Sequence, residues 1–191
     1  MRIAIDIDST LHHYWDLLSE TSLRRFGIEL PYEEQLTWGI TRLRPEQLEL
    51  CVRETHSEEC ILAGVPYPGA VQAVSRWHSE GHFVHITSHR DPSCYAPTAR
   101  WLERIALPFD DLHCSYEKVA RCVELGIDLL IDDSLANLTD AIGHGMLAAT
   151  ITHPWNLEVC EEEDIITAES WPELQLLLAR LTTDGTRTLA G

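Results

Sequence analysis

Apolar and polar positions along this chain follow two rhythms. Short apolar runs occur at Ile3-Ala-Ile5, His82-Phe-Val-His-Ile-Thr87, Leu112-His-Cys114, Asp128-Leu-Leu-Ile131 and Met146 to Ile151. Between them, apolar residues recur every three or four positions. The runs predict strands buried on both faces, and the spaced stretches predict amphipathic helices. Leu17, Leu18, Leu23 and Phe26 mark a first helix that stops at Gly27, and prolines 31 and 45 open two more. Pro66-Tyr-Pro-Gly-Ala opens a helix through Val71, Val74 and Trp77 that ends by Gly81. Further helices are predicted at about 95–105, about 116–125, before Gly143 or Gly145, and from Ser170-Trp-Pro-Glu through Leu181. Ile165-Ile166 adds a short edge strand, and the acids at 158 and 161–164 read as a solvated loop.

Strands alternating with helices imply an α/β fold, a Rossmann-like parallel sheet flanked by helices. Residues 1–11 and 65–181 form the expected core. Residues 12–64 read as a small helical cap inserted after the first strand, and 182–191 as a flexible tail.

A length of 191 residues and a hydrophobic content of 45% allow one real core with such an insertion. The formal charge of −17 argues against a nucleic-acid polymer or an anionic membrane as partner. A small phosphorylated substrate stays compatible, because a metal and one or two placed cations can reverse a local field. The six cysteines are scattered without a C-x-x-C pair, as expected of reduced thiols. With no apolar run of bilayer length and no signal-like segment ahead of the first strand, the expectation is a soluble cytoplasmic protein.

The first strand ends in Asp6-Ile-Asp-Ser-Thr10. Residues two apart on an extended chain point to one side, so Asp6 and Asp8 can share a site. Two neighbouring carboxylates need a cation or a shared proton, and Mg²⁺, a hard oxygen-seeking ion, meets that need. A polar turn capping a helix explains the same residues equally well when they are taken alone. The other strand ends decide between the two readings. In open α/β sheets the ligand sits beyond the carboxyl ends of the strands, and those ends carry Asp6/Asp8, Thr87/Ser88 and Asp132/Asp133. Phosphoryl transfer needs a carboxylate nucleophile, a second carboxyl to move protons, and cationic or donor groups on the phosphate. Asp6 and Asp8 suit the first two roles, Asp132/Asp133 the metal, and Thr87, Ser88 and Lys118 the phosphate.

These motifs, in this order, resemble those of phosphatases of the haloacid dehalogenase superfamily. The resemblance implies Asp6 as nucleophile and Asp8 as general acid/base. It also implies Mg²⁺ held by the Asp6 side chain, the Asp8 carbonyl and the second acid pair, with Asp133 the direct ligand and Asp132 close by. Thr87 would hold the phosphate, and Lys118 would balance charge between it and Asp6. The cap position, Pro66-Tyr-Pro-Gly69 and Asp128-Leu-Leu-Ile-Asp-Asp133 are similar to the cytosolic 5′(3′)-deoxyribonucleotidase branch, which usually carries Gly where Ser9 stands. A (deoxy)nucleoside monophosphate is the substrate class this implies. The alternatives are a non-nucleotide phosphoester and a non-catalytic module that binds a phosphorylated ligand.

Candidates for the substrate pocket are Thr10, Tyr14, Trp15, Trp38 and Arg90, with His12, His13 and His89 nearby. Cap aromatics more often form the cap's own core. Arg90 suits a substrate phosphate or an acid such as Asp91 equally. Trp77, Trp101 and Trp171 fall at apolar helix positions and read as core. His78, His82, His85 and His89 straddle a helix, a turn and a strand and cannot converge on a metal.

Overall fold

The structure, a computed structural model, describes residues 1–37, 39–157 and 164–188. Its strands are β1 (Arg2–Asp6), β2 (Phe83–Ser88), β3 (Asp111–Cys114), β4 (Leu129–Ile131), β5 (Leu147–Ile151) and β6 (Ile165–Ala168). They form one parallel sheet in the order β3-β2-β1-β4-β5-β6. Succession runs outward from β1 in both directions, so the sheet has a switch point at β1, the place where such folds open a crevice.

Alternation along β1 divides the core. Ile3, Ile5 and Ile7 face one layer with Trp77, Trp101 and Trp171, which lie on α4 (Ala70–Ser79), α5 (Tyr95–Arg104) and α8 (Trp171–Thr188). Ala4 faces the other with Val119 and Cys122 of α6 (Lys118–Leu125) and Ala141 of α7 (Leu135–Gly143). Asp6 continues the Ala4 side of the strand, beyond the last apolar layer, and in register with Thr87 of β2.

The insertion contains α1 (Tyr14–Phe26), α2 (Pro45–Thr55) and α3 (Glu58–Ala63). Its own core gathers Trp15, Leu18, Leu30, Leu43 and Cys51, and takes in Trp155 from beyond β5. Its two ends run side by side: the His13 amide donates to the Val65 carbonyl (3.1 Å) and the Tyr67 amide to the Leu11 carbonyl (2.9 Å). The insertion thus leaves and rejoins the sheet through one narrow neck.

Several expectations need correction. Pro31 opens only a 3-10 turn at Tyr32–Glu34, too few residues to nucleate an α-helix. α1 buries Trp15, Leu18, Thr21 and Ser22, while Leu23 is exposed. Ser22 and Ser19 can sit on that inner face because their hydroxyls donate to the carbonyls of Ile28 and Leu30. α8 runs through Thr188, past Leu181, so residues 182–188 of the expected tail are helical. Propagation costs little once a helix is nucleated, and no proline interrupts it there. The acid run at 158 and 161–163 and the end of the tail at 189–191 lie outside the described residues. Among the described residues no helix is long and apolar enough to cross a membrane.

The chain returns from the neck to α4 at Gly69, with φ +86° and the Pro172 ring 2.9 Å from where a Cβ would stand. Gly69→Ala meets both a left-handed backbone and the start of α8. It should lower unfolding free energy by about 1–3 kcal/mol, read as the shift in a urea midpoint at unchanged m.

Candidate active site

The carboxyl end of β1 makes a compact loop. The amides of Thr10, Leu11 and His12 all donate to the Ile7 carbonyl, and Ser9 takes φ +65°, unusual for a residue with a side chain. Residues distant in sequence hold the loop from outside. Trp171 Nε1 donates to the Thr10 carbonyl (2.9 Å), and His153 Nε2 to the Ser9 carbonyl (2.6 Å).

Two buried ionic groups fill the crevice. In the first, Lys118 at the start of α6 places Nζ 2.7 Å from Asp6 Oδ1 and 2.6 Å from Asp132 Oδ2. Asp132 also accepts from the Ser134 amide and from Asn137 Nδ2. Asp133 accepts on Oδ2 from Trp155 Nε1 at 3.0 Å. Oxygens of Asp6, Asp132 and Asp133 lie within 4.8 Å of one another, and all three residues are buried.

Burial pushes Asp6 up to about 7, with Asp132 and Asp8 adding to it and Lys118 opposing. Asp133 is raised well above the carboxylate range by burial and by Asp132 and Asp6. Burial alone would lower Lys118, yet Asp132 and Asp6 outweigh it and keep the ammonium charged. Three carboxylates against one ammonium leave two negative charges when all are ionised. An all-carboxylate donor set with that excess fits a hard divalent cation.

The second group centres on Asp8. Arg90, buried just past β2, donates from Nε to Asp8 Oδ2 (2.9 Å) and from Nη2 to Oδ1 (2.5 Å), while its Nη1 donates to Thr98 Oγ1. Burial would raise Asp8, but the bidentate guanidinium outweighs it and holds the carboxyl well below its usual range. His12 Nδ1 and His56 Nε2 stand 3.6 and 3.7 Å from the same carboxylate, and Ser88 Oγ stands 3.4 Å away. Thr87 Oγ1 and Thr10 Oγ1 are buried without a hydrogen-bond partner. Thr87, in register with Asp6, therefore offers an unused donor beside the carboxylates.

Asp6, Asp8, Thr87, Ser88, Lys118, Asp132 and Asp133 thus converge, with Arg90 among them through Asp8 and with neither Asp91 nor open solvent as its partner. Tyr14 reaches the same region, half-buried, its hydroxyl 2.9 Å from Thr55 Oγ1 and its ring 5.6 Å from His56. Trp15 does not line the crevice: it is buried in the insertion's core, and its N–H donates to the Leu30 carbonyl. His89 is exposed against Tyr116, and His13 packs on Tyr67. Trp38 lies outside the described residues.

The sequence reading missed His56, Thr98, Asn137, His153 and Trp155. His153-Pro-Trp155 follows the carboxyl end of β5, the same edge as the other site residues, and that position was the available signal.

The family model described as 5′ nucleotidase, deoxy (pyrimidine), cytosolic type C protein matches residues 1–182. No curated protein matches the sequence. Among solved structures, the chain is similar to a HAD family hydrolase from Deinococcus radiodurans R1 with bound phosphate and sodium. Its TM-score is 0.65 and its identity 15%, over 96% of each chain. A predicted phosphoglycolate phosphatase from Haemophilus somnus 129PT has TM-score 0.63 and identity 13%, over 94% of this chain and 97% of the other. CbbY from Rhodobacter sphaeroides in complex with phosphate has TM-score 0.61 and identity 17%, over 91% and 95%. At these identities the structures establish a shared fold.

The charge balance sets a test. A free aspartate titrates near 3.9, so between about pH 4 and 7 the metal-free native state keeps a proton on Asp6 that the unfolded chain has released. The contribution of Asp6 to the stability of the metal-free protein therefore falls as pH rises through that window. Saturating Mg²⁺ should raise Tm by roughly 5–10 °C at pH 7.5 and by clearly less at pH 5.5. The absence of a shift at both pH values, followed by scanning calorimetry after EDTA dialysis, would rule out a cation among these three carboxylates.

Proposed function

Because the chain belongs to the cytosolic type C deoxy 5′-nucleotidase family of haloacid dehalogenase phosphatases, we propose that it hydrolyses small phosphomonoesters through an aspartyl-phosphate. The leading substrates are nucleoside monophosphates, deoxy forms included. The observation that carries the reading is the pair of unlike aspartates at one strand end: Asp6 paired with Lys118, which Asp132 shares, and Asp8 paired with Arg90.

Lys118 occupies Oδ1 of Asp6, which gives Oδ2 the role of attacking oxygen. That oxygen bonds to phosphorus as the ester oxygen departs, and Asp8 delivers a proton to the leaving alkoxide. Asp8, ionised again, then takes a proton from water; the water oxygen bonds to phosphorus and the bond to Asp6 breaks, releasing phosphate. Arg90 favours the ionised form of Asp8, which suits the second step. For the first, a phosphate arriving beside Asp8 brings negative charge that favours protonating the carboxyl. Thr87 Oγ1 and Lys118 Nζ hold the transferring oxygens. Asp6, Asp133 and the Asp8 carbonyl are the groups that would hold Mg²⁺, with Asp132 serving mainly as the counter-charge to Lys118. Bound there, the ion would neutralise phosphate charge and align it with Asp6.

The insertion over the crevice selects the substrate. Tyr14 is its aromatic beside Asp8, placed to stack on a base, and the net charge of −17 disfavours polyanions. The family's cytosolic label supports a cytoplasmic location.

Asp6→Asn should lower kcat/KM by about a thousandfold or more with folding intact, and Asp8→Asn by about 10²–10⁴-fold, most for poor leaving groups. Activity of Asp6→Asn within tenfold of wild type would exclude the covalent route. Across nucleotides, sugar phosphates and phosphoamino acids, kcat/KM should be highest for nucleoside monophosphates. Tyr14→Ala should weaken those by roughly tenfold, a stacking-sized loss. Preference for sugar phosphates with no effect of Tyr14→Ala would leave a phosphatase of another metabolite.

A further inference from the structure

The turn after β5 ties the insertion to the catalytic loop through groups that do not touch the crevice's reacting atoms. His153 bonds at both ring nitrogens: Nε2 lies 2.6 Å from the Ser9 carbonyl, and Nδ1 lies 2.7 Å from Tyr32 Oη. A carbonyl can only accept, so Nε2 carries the hydrogen. Burial, partly opposed by the bond to Ser9, lowers His153 to about 4 and keeps the ring neutral. Nδ1 is then an acceptor, and the Tyr32 hydroxyl donates to it. A chain of two directed hydrogen bonds therefore runs from the insertion's 3-10 turn to the one left-handed, non-glycine residue of the catalytic loop.

A second path runs beside it. Trp155 stacks on His153 (4.4 Å, 4°), meets Tyr32 edge-on (5.5 Å) and Trp15 of α1 (5.4 Å), and donates its N–H to Asp133. The turn itself is cross-braced: Asn156 accepts from the His153 amide and donates to Thr150 Oγ1 and the Ile151 carbonyl. Seating of the insertion is thus felt at the backbone next to Asp8 and at a metal-site carboxylate.

We propose that Tyr32 and His153 are positioning residues, a latch by which docking of the 12–64 insertion fixes the Ser9 turn in its reactive geometry. This rests on the phosphatase reading for its kinetic consequence, though not for its structural one.

The test is Tyr32→Phe, which keeps the ring and removes one hydroxyl, with His153→Gln and His153→Ala as companions. Amide hydrogen exchange of residues 9–12 should speed up about three- to tenfold in Tyr32→Phe, the change one hydrogen bond supports. Its Tm should stay close to wild type. On a nucleoside monophosphate, kcat should fall by about the same factor with KM within twofold. His153→Gln, which keeps one donor and one acceptor, should retain more activity than His153→Ala, and adding Tyr32→Phe to His153→Ala should change nothing further. Unchanged exchange at 9–12 in Tyr32→Phe overturns the latch, and so does an additive double variant. A wild-type protein inactive on every phosphoester would overturn the phosphatase reading and leave the exchange result to decide the latch.

Discussion

Everything at this site depends on how the protein holds carboxyl groups together where water is scarce. Moving a carboxylate out of water costs several kcal/mol unless another charge answers it, and four of them crowd the carboxyl ends of β1 and β4. Lys118 answers Asp6 and Asp132, and Arg90 answers Asp8 in a bidentate grip. The two arrangements differ in kind. A lysine ammonium is a compact point charge that two carboxylates can share, whereas the guanidinium fork matches one carboxylate and fixes its orientation. Asp6 is left with one carboxylate oxygen not bonded to Lys118, whereas both oxygens of Asp8 are engaged by Arg90. The surplus charge that Lys118 does not cover is what a divalent cation would answer.

Much of this was legible along the chain, for physical reasons. A parallel sheet covered on both faces needs unbroken apolar strands, and Ile3-Ala-Ile5 or Leu129-Leu-Ile131 can be little else. Polar residues at the ends of those strands stand out against that background, so Asp6, Asp8, Thr87, Ser88, Asp132 and Asp133 could be picked out before any contact was known. Lys118 needed the order of motifs as well, since one lysine on a helix carries no signal of its own. Contacts made across the fold were not legible. Arg90 and Asp8 meet only because β1 and β2 are neighbours, and nothing local favours Asp8 over Asp91 as its partner. Trp15 has the spacing of a helix face, but whether that face meets substrate or Leu30 and Trp155 depends on how the insertion folds back. A serine at position 9 does not by itself announce a left-handed backbone, and the glycine usual there in the branch the chain resembles was the one hint of it.

The insertion and the core are better regarded as coupled than as lid and vessel. Trp155 belongs to the insertion's apolar cluster and bonds a core carboxylate, and the neck pairs His13 with Val65 and Leu11 with Tyr67. Moving the insertion therefore disturbs packing and charge together.

The way the catalytic loop is anchored also bears on how the protein is made. Asp6 and Asp8 precede every other strand of the sheet in chain order, yet the loop around them is held by residues that come much later. The bond from His153 spans 144 residues and that from Trp171 spans 161. β1, destined for the middle of the sheet, has no strand to pair with until β2 and β4 follow. Contacts so distant in sequence form late and slowly. A nascent chain will therefore carry these aspartates long before the loop that holds them is anchored, and the anchoring is complete only once His153 and Trp171 have both been made.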